Sequence, residues 1–307
     1  MDIFIQQMIN GLVLGSIYAL VALGYTMVYG IMGLINFAHG EVVMIGAMVA
    51  ITVIKLLADS GLPGILIAFI GLAAAAVVCM GVGFTIERVA YRPLRNAPKL
   101  APLITAIGVS IVLQNLAMLV WGRNYHAFPP ILPTSQHDVM GATITSLQVA
   151  IILIAALMMA GLMLLIHRSR LGRAMRATSE NPAIAQLMGV NINQIISFTF
   201  IIGSALAAVA GLMVSANYSI AHYYMGFTLG LKAFTAAVLG GIGSLAGAML
   251  GGILLGLIES LGAGYIGDLT GGFLGSHYQD VFAFFVLICV LVFRPSGLVG
   301  VKMAERA

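Results

Sequence analysis

Apolar runs long enough to cross a lipid bilayer follow one another along almost the whole sequence, and they restrict this chain to a membrane fold. Hydrophobic residues make up 61% of the 307 residues and charged residues only 8%, whereas an ordinary soluble domain carries roughly 25% charged residues. Several runs exceed the ~20 residues that a helix needs to cross a bilayer. The sequence therefore predicts an all-α fold, a polytopic transmembrane helical bundle.

The runs predict eight or nine spans. They cover 4–30, 36–57, 64–87, 101–121, 147–167, 194–217, 245–262 and 278–293, with a shorter candidate at 227–241. Polar or glycine-rich interruptions predict discontinuous helices near 35–41 and 239–244. We expect 1–307 to form a single transmembrane domain with a longer cytoplasmic loop at 168–193.

The basic residues predict the orientation in the membrane. Of the 14 Lys and Arg, 11 lie in three clusters: Arg88, Arg92, Arg95 and Lys99; Arg168, Arg170, Arg173 and Arg176; Arg294, Lys302 and Arg306. Basic residues concentrate in cytoplasmic loops of membrane proteins, so the charge indicates topology and not a nucleic-acid partner. All three clusters are cytoplasmic only if 227–241 crosses the membrane. The N-terminus is then periplasmic and the C-terminus cytoplasmic.

One polar interruption is the stretch INFAHGE, which places Asn36, His39 and Glu41 between apolar residues. Ionisable groups at membrane depth are costly and usually have a partner or a water-filled cavity. If the stretch is helical, Asn36 and His39 share a face and Glu41 points away from it. The three residues either line a translocation pathway or join helices through hydrogen bonds.

Glycines form the second interruption. Gly240, Gly241 and Gly243 break an apolar run, and freed backbone groups at membrane depth need a cover of protein or a cavity. We therefore predict that they line the pathway. The glycines that follow form small-xxx-small pairs, Gly247–Gly251 and Gly252–Gly256, a pattern that indicates close helix packing.

The loop 168–193 contains the signals of a short helix at about 179–189. Ser179 or Asn181 is a candidate N-cap, Pro182 suits the first turn and Gly189 suits the end. Its small apolar face is formed by Ala183, Ile184, Leu187 and Met188. Such a helix either docks into a groove on a partner or lies on the membrane surface.

Isolated charges elsewhere have simpler expected roles. Lys232 is expected to extend to the outer interface, Glu87 and Arg88 to form an interfacial pair, and Glu259 to be solvated. The sequence contains no phosphate-binding loop, no nucleophile elbow and no metal-ligand motif. We expect no catalytic residue, metal site or cofactor in this chain.

Four stretches together resemble the bacterial branched-chain amino acid permeases: GYTMVYGIMGLINFAHGEVVMIGA, RLGRAMRATSENPAIAQLMGVN, FTAAVLGGIGSLAGAMLGG and FRPSGLVG. The resemblance runs from about Gln7 to Gly300. It implies the permease of a high-affinity ATP-binding-cassette (ABC) importer of leucine, isoleucine and valine in the bacterial inner membrane. The implied partners are a second related permease, two cytoplasmic ATPases that bind the ATP, and a periplasmic or lipid-anchored substrate-binding protein.

The resemblance also implies that the short loop helix docks into the ATPase, with Glu180, Asn181, Ala183 and Gly189 as coupling positions. It assigns no substrate contact to His39 or Glu41. Three alternatives stay open: a permease for urea, short amides or other amino acids; an autonomous secondary transporter or channel; and a structural or receptor-like membrane protein. The identity of the partners distinguishes these alternatives.

Overall fold

The computed structural model describes residues 2–95, 97–98, 100–131, 134–139, 141–269 and 278–300. Lys99, Lys302 and Arg306 of the basic clusters lie outside these residues. The predicted all-α membrane bundle is confirmed, since seven helices in the described ranges are long and apolar enough to cross a membrane.

The described residues form the following elements. The helices are α1 Asp2–Met32, α2 His39–Leu57, α3 Gly64–Thr85, α4 Leu100–Trp121, α5 Ser146–Arg168, α6 Arg170–Glu180, α7 Pro182–Leu187, α8 Ile192–Tyr218, α9 Met225–Gly240, α10 Leu245–Leu269 and α11 Gln279–Phe293. The short strands are β1 His126–Ala127, β2 Gln136–Val139, β3 Ala142–Thr145 and β4 Ile220–Ala221. Strands β1 and β4 pair antiparallel, as do β2 and β3.

Each predicted span corresponds to a helix in the described part of the chain. The candidate at 227–241 is helix α9, which at 16 residues is shorter than the seven long spans. Both predicted interruptions are present, since the chain is non-helical at 33–38 and 241–244. The interruption predicted near 35–41 ends earlier than expected, because helix α2 begins at His39. Gly33, Gly241 and Gly243 have positive φ angles there.

Two helical features beside the basic clusters were not predicted. Helix α3 continues into a π-helical stretch, Ile86–Tyr91, and a 3-10 turn, Arg92–Leu94. The basic part of the 168–193 loop forms its own helix, α6, whose N-cap Ser169 accepts a hydrogen bond from the Gly172 N–H at 2.9 Å.

The chain divides into two compact units. The first contains Met1–Thr26, Pro133–Leu157 and Lys232–Ala307, and the second contains Met27–Leu132 and Met158–Leu231. Within the second unit, most of α2 is buried against α3 and α8. Small residues permit this packing, since a Cβ on Gly46 would lie 2.8 Å from the Ala208 Cα atom.

Helix α10 packs through glycines on two faces within the first unit. A Cβ on Gly252 or Gly256 would overlap the backbone of α1, and a Cβ on Gly247 or Gly251 would overlap that of α9. Helix α1 contributes its own glycine at the contact, where a Cβ on Gly15 would lie 2.7 Å from the Ile253 Cα atom. The predicted helix-packing role of the small-xxx-small pairs is confirmed.

Candidate functional sites

Asn36 lies in the non-helical connector between α1 and α2 and is 3% exposed. Its side-chain oxygen accepts hydrogen bonds from the Ala38 N–H at 3.1 Å and from the Tyr91 hydroxyl at 3.0 Å. Asparagine often stabilises turns in this way, by accepting from a backbone group two residues ahead. The condition on which Asn36 and His39 would share a helical face is not met, because only His39 belongs to the helix.

His39 and Glu41 lie in the first turn of α2, 2% and 0% exposed. One Glu41 carboxylate oxygen accepts hydrogen bonds from the Ser110 hydroxyl at 3.1 Å and the Gln114 amide at 2.7 Å. Both partners lie on α4. Glu41 thus joins α2 to α4 through hydrogen bonds, which was one of the two roles that the sequence allowed.

Glycines enclose the start of α2. A Cβ on Gly226 would lie 2.6 Å from the second oxygen of the Glu41 carboxylate, and a Cβ on Gly40 would lie 2.8 Å from the Gly230 Cα atom. Larger residues at these positions would separate α2 from the beginning of α9. The buried polar groups are consequently held in a dense environment.

The glycines at 240–243 form the turn between α9 and α10. A Cβ on Gly241 would lie 2.6 Å from the Gly300 Cα atom. The same C-terminal segment also satisfies backbone carbonyls at the end of α9: Leu298 N–H donates to the Leu239 carbonyl at 3.0 Å and Val299 N–H to the Gly240 carbonyl at 2.9 Å. The glycines thus allow close packing of backbone on backbone, and their predicted place in the pathway stays a prediction.

Glu87 forms a buried polar cluster that the sequence pattern did not indicate. Its carboxylate pairs with the Arg95 guanidinium, which also donates to the Asn193 side chain, and it accepts from the Ser197 hydroxyl at 2.6 Å. Partial burial lowers the pKa of the Arg95 guanidinium, and the Glu87 charge acts in the opposite direction. The expected Glu87–Arg88 pair is wrong, because consecutive residues of a helix do not face each other.

A second charged cluster joins helices of the first unit. The Lys232 ammonium on α9 lies 2.6 Å from a Glu259 carboxylate oxygen on α10 and 2.8 Å from one of Asp280 on α11. The Tyr18 hydroxyl on α1 donates to the other Glu259 oxygen at 3.0 Å. Glu259 is only 2% exposed. The expectations of an extended Lys232 and a solvated Glu259 are therefore both wrong.

The loop helix predicted at 179–189 is helix α7, Pro182–Leu187. Asn181 caps it by accepting from the Ile184 N–H at 3.1 Å, so of the two candidate caps Asn181 is confirmed. Gly189 follows the helix with a φ of +87°, the left-handed conformation typical of helix ends. Glu180 belongs to α6 and Ala183 to α7.

Helix α7 presents an apolar face that the described part of the chain leaves uncovered. Ile184, Leu187 and Met188 are 57%, 85% and 80% exposed, whereas Ala185 points inward and is 3% exposed. An exposed apolar patch on a short helix marks a contact with a protein or a membrane.

The hydrogen-bond partners of the buried side chains Asn36, Glu41 and Glu87 are the site residues that the sequence reasoning missed. Tyr91, Ser110, Gln114 and Ser197 all lie in or beside apolar runs, and each donates to Asn36, Glu41 or Glu87. Their only signal in the sequence is their polarity inside a predicted span. That signal does not indicate which of them donates to which buried side chain.

Comparisons with known proteins match almost the entire chain. A family described as branched-chain amino acid transport system / permease component matches residues 7–291. The chain is 50% identical to the high-affinity branched-chain amino acid transport system permease protein BraD of Pseudomonas aeruginosa, over 99% of this chain and 98% of the relative. It is 46% identical to the corresponding permease protein LivH of Escherichia coli, over 99% and 97%.

A more distant relative comes from an archaeon. The probable branched-chain amino acid transport permease protein LivH of Methanocaldococcus jannaschii is 29% identical, over 95% of this chain and 91% of the relative. The similarity therefore extends along the chain and is not limited to one motif.

Proposed function

This chain belongs to the family of branched-chain amino acid transport permeases, and on that basis we propose that it is the membrane-spanning permease subunit of an ABC importer. The importer moves leucine, isoleucine and valine into the cytoplasm. The observation that carries the proposal is the 50% identity to a high-affinity permease over 99% of this chain. Since the sequence contains no phosphate-binding loop, ATP is bound and hydrolysed by separate subunits.

The complete importer contains four kinds of component. This chain pairs with a second related permease, two ATPases dock on the cytoplasmic side, and a periplasmic or lipid-anchored binding protein delivers the substrate. The importer lies in the bacterial inner membrane. The basic clusters favour a periplasmic N-terminus and a cytoplasmic C-terminus for this chain.

Helix α7 is the coupling element in this proposal. Its apolar face, with Leu187 85% exposed, suits insertion into a groove of the ATPase. Asn181 and Gly189 lie at the two ends of the helix, Ala183 lies in its first turn, and Glu180 is the last residue of α6. ATP binding shifts the helix and so changes the balance between inward-open and outward-open conformations.

The partners test this assignment directly. We expect the tagged chain, purified in mild detergent from its native membrane, to retain a second permease and two ATPases. Leu187→Glu should reduce the recovered ATPases at least tenfold, because it places a charge in the apolar contact. Gln186→Glu is the matched control, since it adds the same charge to an exposed neighbouring position, and it should retain them. Recovery of the wild-type chain without ATPases would contradict the coupling role.

Uptake measurements on the purified importer in liposomes test the substrate class. We expect ATP-dependent uptake of labelled leucine that excess isoleucine or valine suppresses and urea does not. Suppression by urea or short amides instead would assign the chain to a different substrate class. Uptake that requires an ion gradient and no ATP would exclude an ABC importer.

The polar start of α2 is our candidate for part of the translocation pathway, and the glycine turn at 240–243 is a second, separate candidate. The supporting observation is the burial of two ionisable side chains, His39 and Glu41, at 2% and 0% exposure. His39→Phe should reduce leucine uptake at least fivefold at an unchanged membrane level, measured by quantitative blotting. Uptake equal to wild type would remove His39 from the mechanism.

A further inference from the structure

A groove of about 630 Å³ lies beside the π-helical end of α3 in the second unit. Its walls come from the end of α3 and the beginning of α8. The lining residues are Phe84, Arg88, Arg92, Asn191, Asn193, Gln194, Ser197, Phe198 and Ile201. The proposed importer function does not account for this groove.

Positive charge at the polar end of the groove has no carboxylate partner among the residues that the structure describes. Glu87, the neighbouring acid, is buried and pairs with Arg95. Within the described ranges, neither Arg88 nor Arg92 forms an ion pair with a carboxylate. The remaining polar lining consists of amide and hydroxyl groups. The groove therefore presents two free guanidinium groups, a combination that suits phosphate oxygens.

The other end of the groove is apolar and continues into the spans. Phe84 precedes Arg88 by one helical turn, and Phe198 and Ile201 follow Gln194 by one to two turns. The side chains of Phe84 and Phe198 are 40% and 48% exposed. The charged residues thus lie at the end of one candidate span, and the apolar residues follow within the candidate spans. This is the order in which a phospholipid presents its headgroup and its acyl chains.

We propose that this groove binds an anionic phospholipid, with the headgroup phosphate between Arg88 and Arg92 and an acyl chain along Phe84 and Phe198. Basic pockets between transmembrane helices bind anionic headgroups in the same manner. A soluble phosphate ion would use the arginines alone and leave the apolar wall uncovered. An acidic segment of a cytoplasmic partner would also leave the apolar wall uncovered, because that wall extends towards the membrane interior.

The first π-helical residues explain how the sequence builds this groove. Buried Glu87 is held by Arg95 and Ser197, while exposed Arg88 points into the groove. π-Helical turns are rare and frequently occur at functional sites. The same stretch thereby places an acid towards the interior and a base towards the lipid.

Native mass spectrometry on the delipidated, purified protein, with the partners that it retains, tests the proposal. Phosphatidylglycerol and phosphatidylcholine are titrated separately. We expect the double variant Arg88→Gln/Arg92→Gln to weaken phosphatidylglycerol binding at least fivefold and to leave phosphatidylcholine binding unchanged. The control Arg168→Gln/Arg170→Gln removes two exposed charges outside the groove and should bind phosphatidylglycerol as the wild type does. Arg88→Lys/Arg92→Lys should retain most of the binding and a wild-type thermal transition.

Three results would overturn the proposal. Equal phosphatidylglycerol affinity in the Gln and wild-type proteins would exclude the arginines as ligands. Displacement of the lipid by millimolar inorganic phosphate would indicate a site for free anions. If the Gln variant loses a protein partner but still binds the lipid, the groove is a protein interface instead. None of these readouts depends on the transported substrate, so they are separate from the tests of the importer function.

Discussion

We expect the replacement of Gly256 with alanine to lower the thermal transition of the purified chain by roughly 5–10 °C, because overpacking against backbone costs about 3 kcal/mol. A Cβ at this position would overlap the backbone of Gly15 on α1. Backbone atoms cannot adopt another rotamer, so the two helices must separate along their contact. Fluorescence-detected size exclusion after heating measures the loss in detergent.

The matched control is Gly161→Ala in α5, where a Cβ would meet no atom within 4 Å. Alanine is the better helix former by about 1 kcal/mol, so this variant should be as stable as wild type or slightly more stable. The same Gly→Ala change is thus expected to lower the thermal transition at position 256 and to leave it unchanged or raise it slightly at position 161. Equal transitions for the two variants would contradict the packing described for α1 and α10.

Replacing Lys232 with methionine has the other large expected effect. The variant leaves the carboxylates of Glu259 and Asp280 without the cation that lies 2.6 and 2.8 Å from them. Removing one partner of a buried ion pair costs about 3 kcal/mol or more. We expect less than a third of the wild-type level of folded protein, measured by size exclusion of the solubilised membrane.

Two further variants distinguish the effect of breaking the ion pair from the effect of removing any lysine. Lys55→Met changes an exposed lysine in the last turn of α2 and should leave the folded level unchanged. Lys232→Met combined with Glu259→Gln removes a pair of opposite charges and should recover part of the folded protein. If the double variant is no better than Lys232→Met alone, the cluster is not held together by charge.

The features predicted best are local in the sequence. Asn181, Pro182 and Gly189 determine a helix through hydrogen bonds and backbone angles within a few residues, and the loop forms that helix as expected. The pairs Gly247–Gly251 and Gly252–Gly256 correctly indicated close packing. The pattern did not say that the first pair meets α9 and the second meets α1.

The features predicted worst depend on partners that are distant in the sequence. Glu87 was assigned to its neighbour Arg88, but the π-helical stretch and the following turn bring Arg95 and Ser197 to it instead. The sequence predicts that Glu259 is near a helix end and solvated, yet Tyr18 and Lys232 contact it in the structure. No periodicity in one segment indicates which residue of another segment will face it.

The sequence by itself determined the membrane class, the position of nearly every span and the family of this chain, because these depend on apolar length, charge distribution and motif order. Only the tertiary structure decided how the buried charges are satisfied. The pairing of Lys232 with Glu259 and Asp280 and the link from Glu41 to α4 both arise from helix packing. In an apolar environment each such group must find a partner, and which partner it finds depends on the faces that the helices turn towards one another.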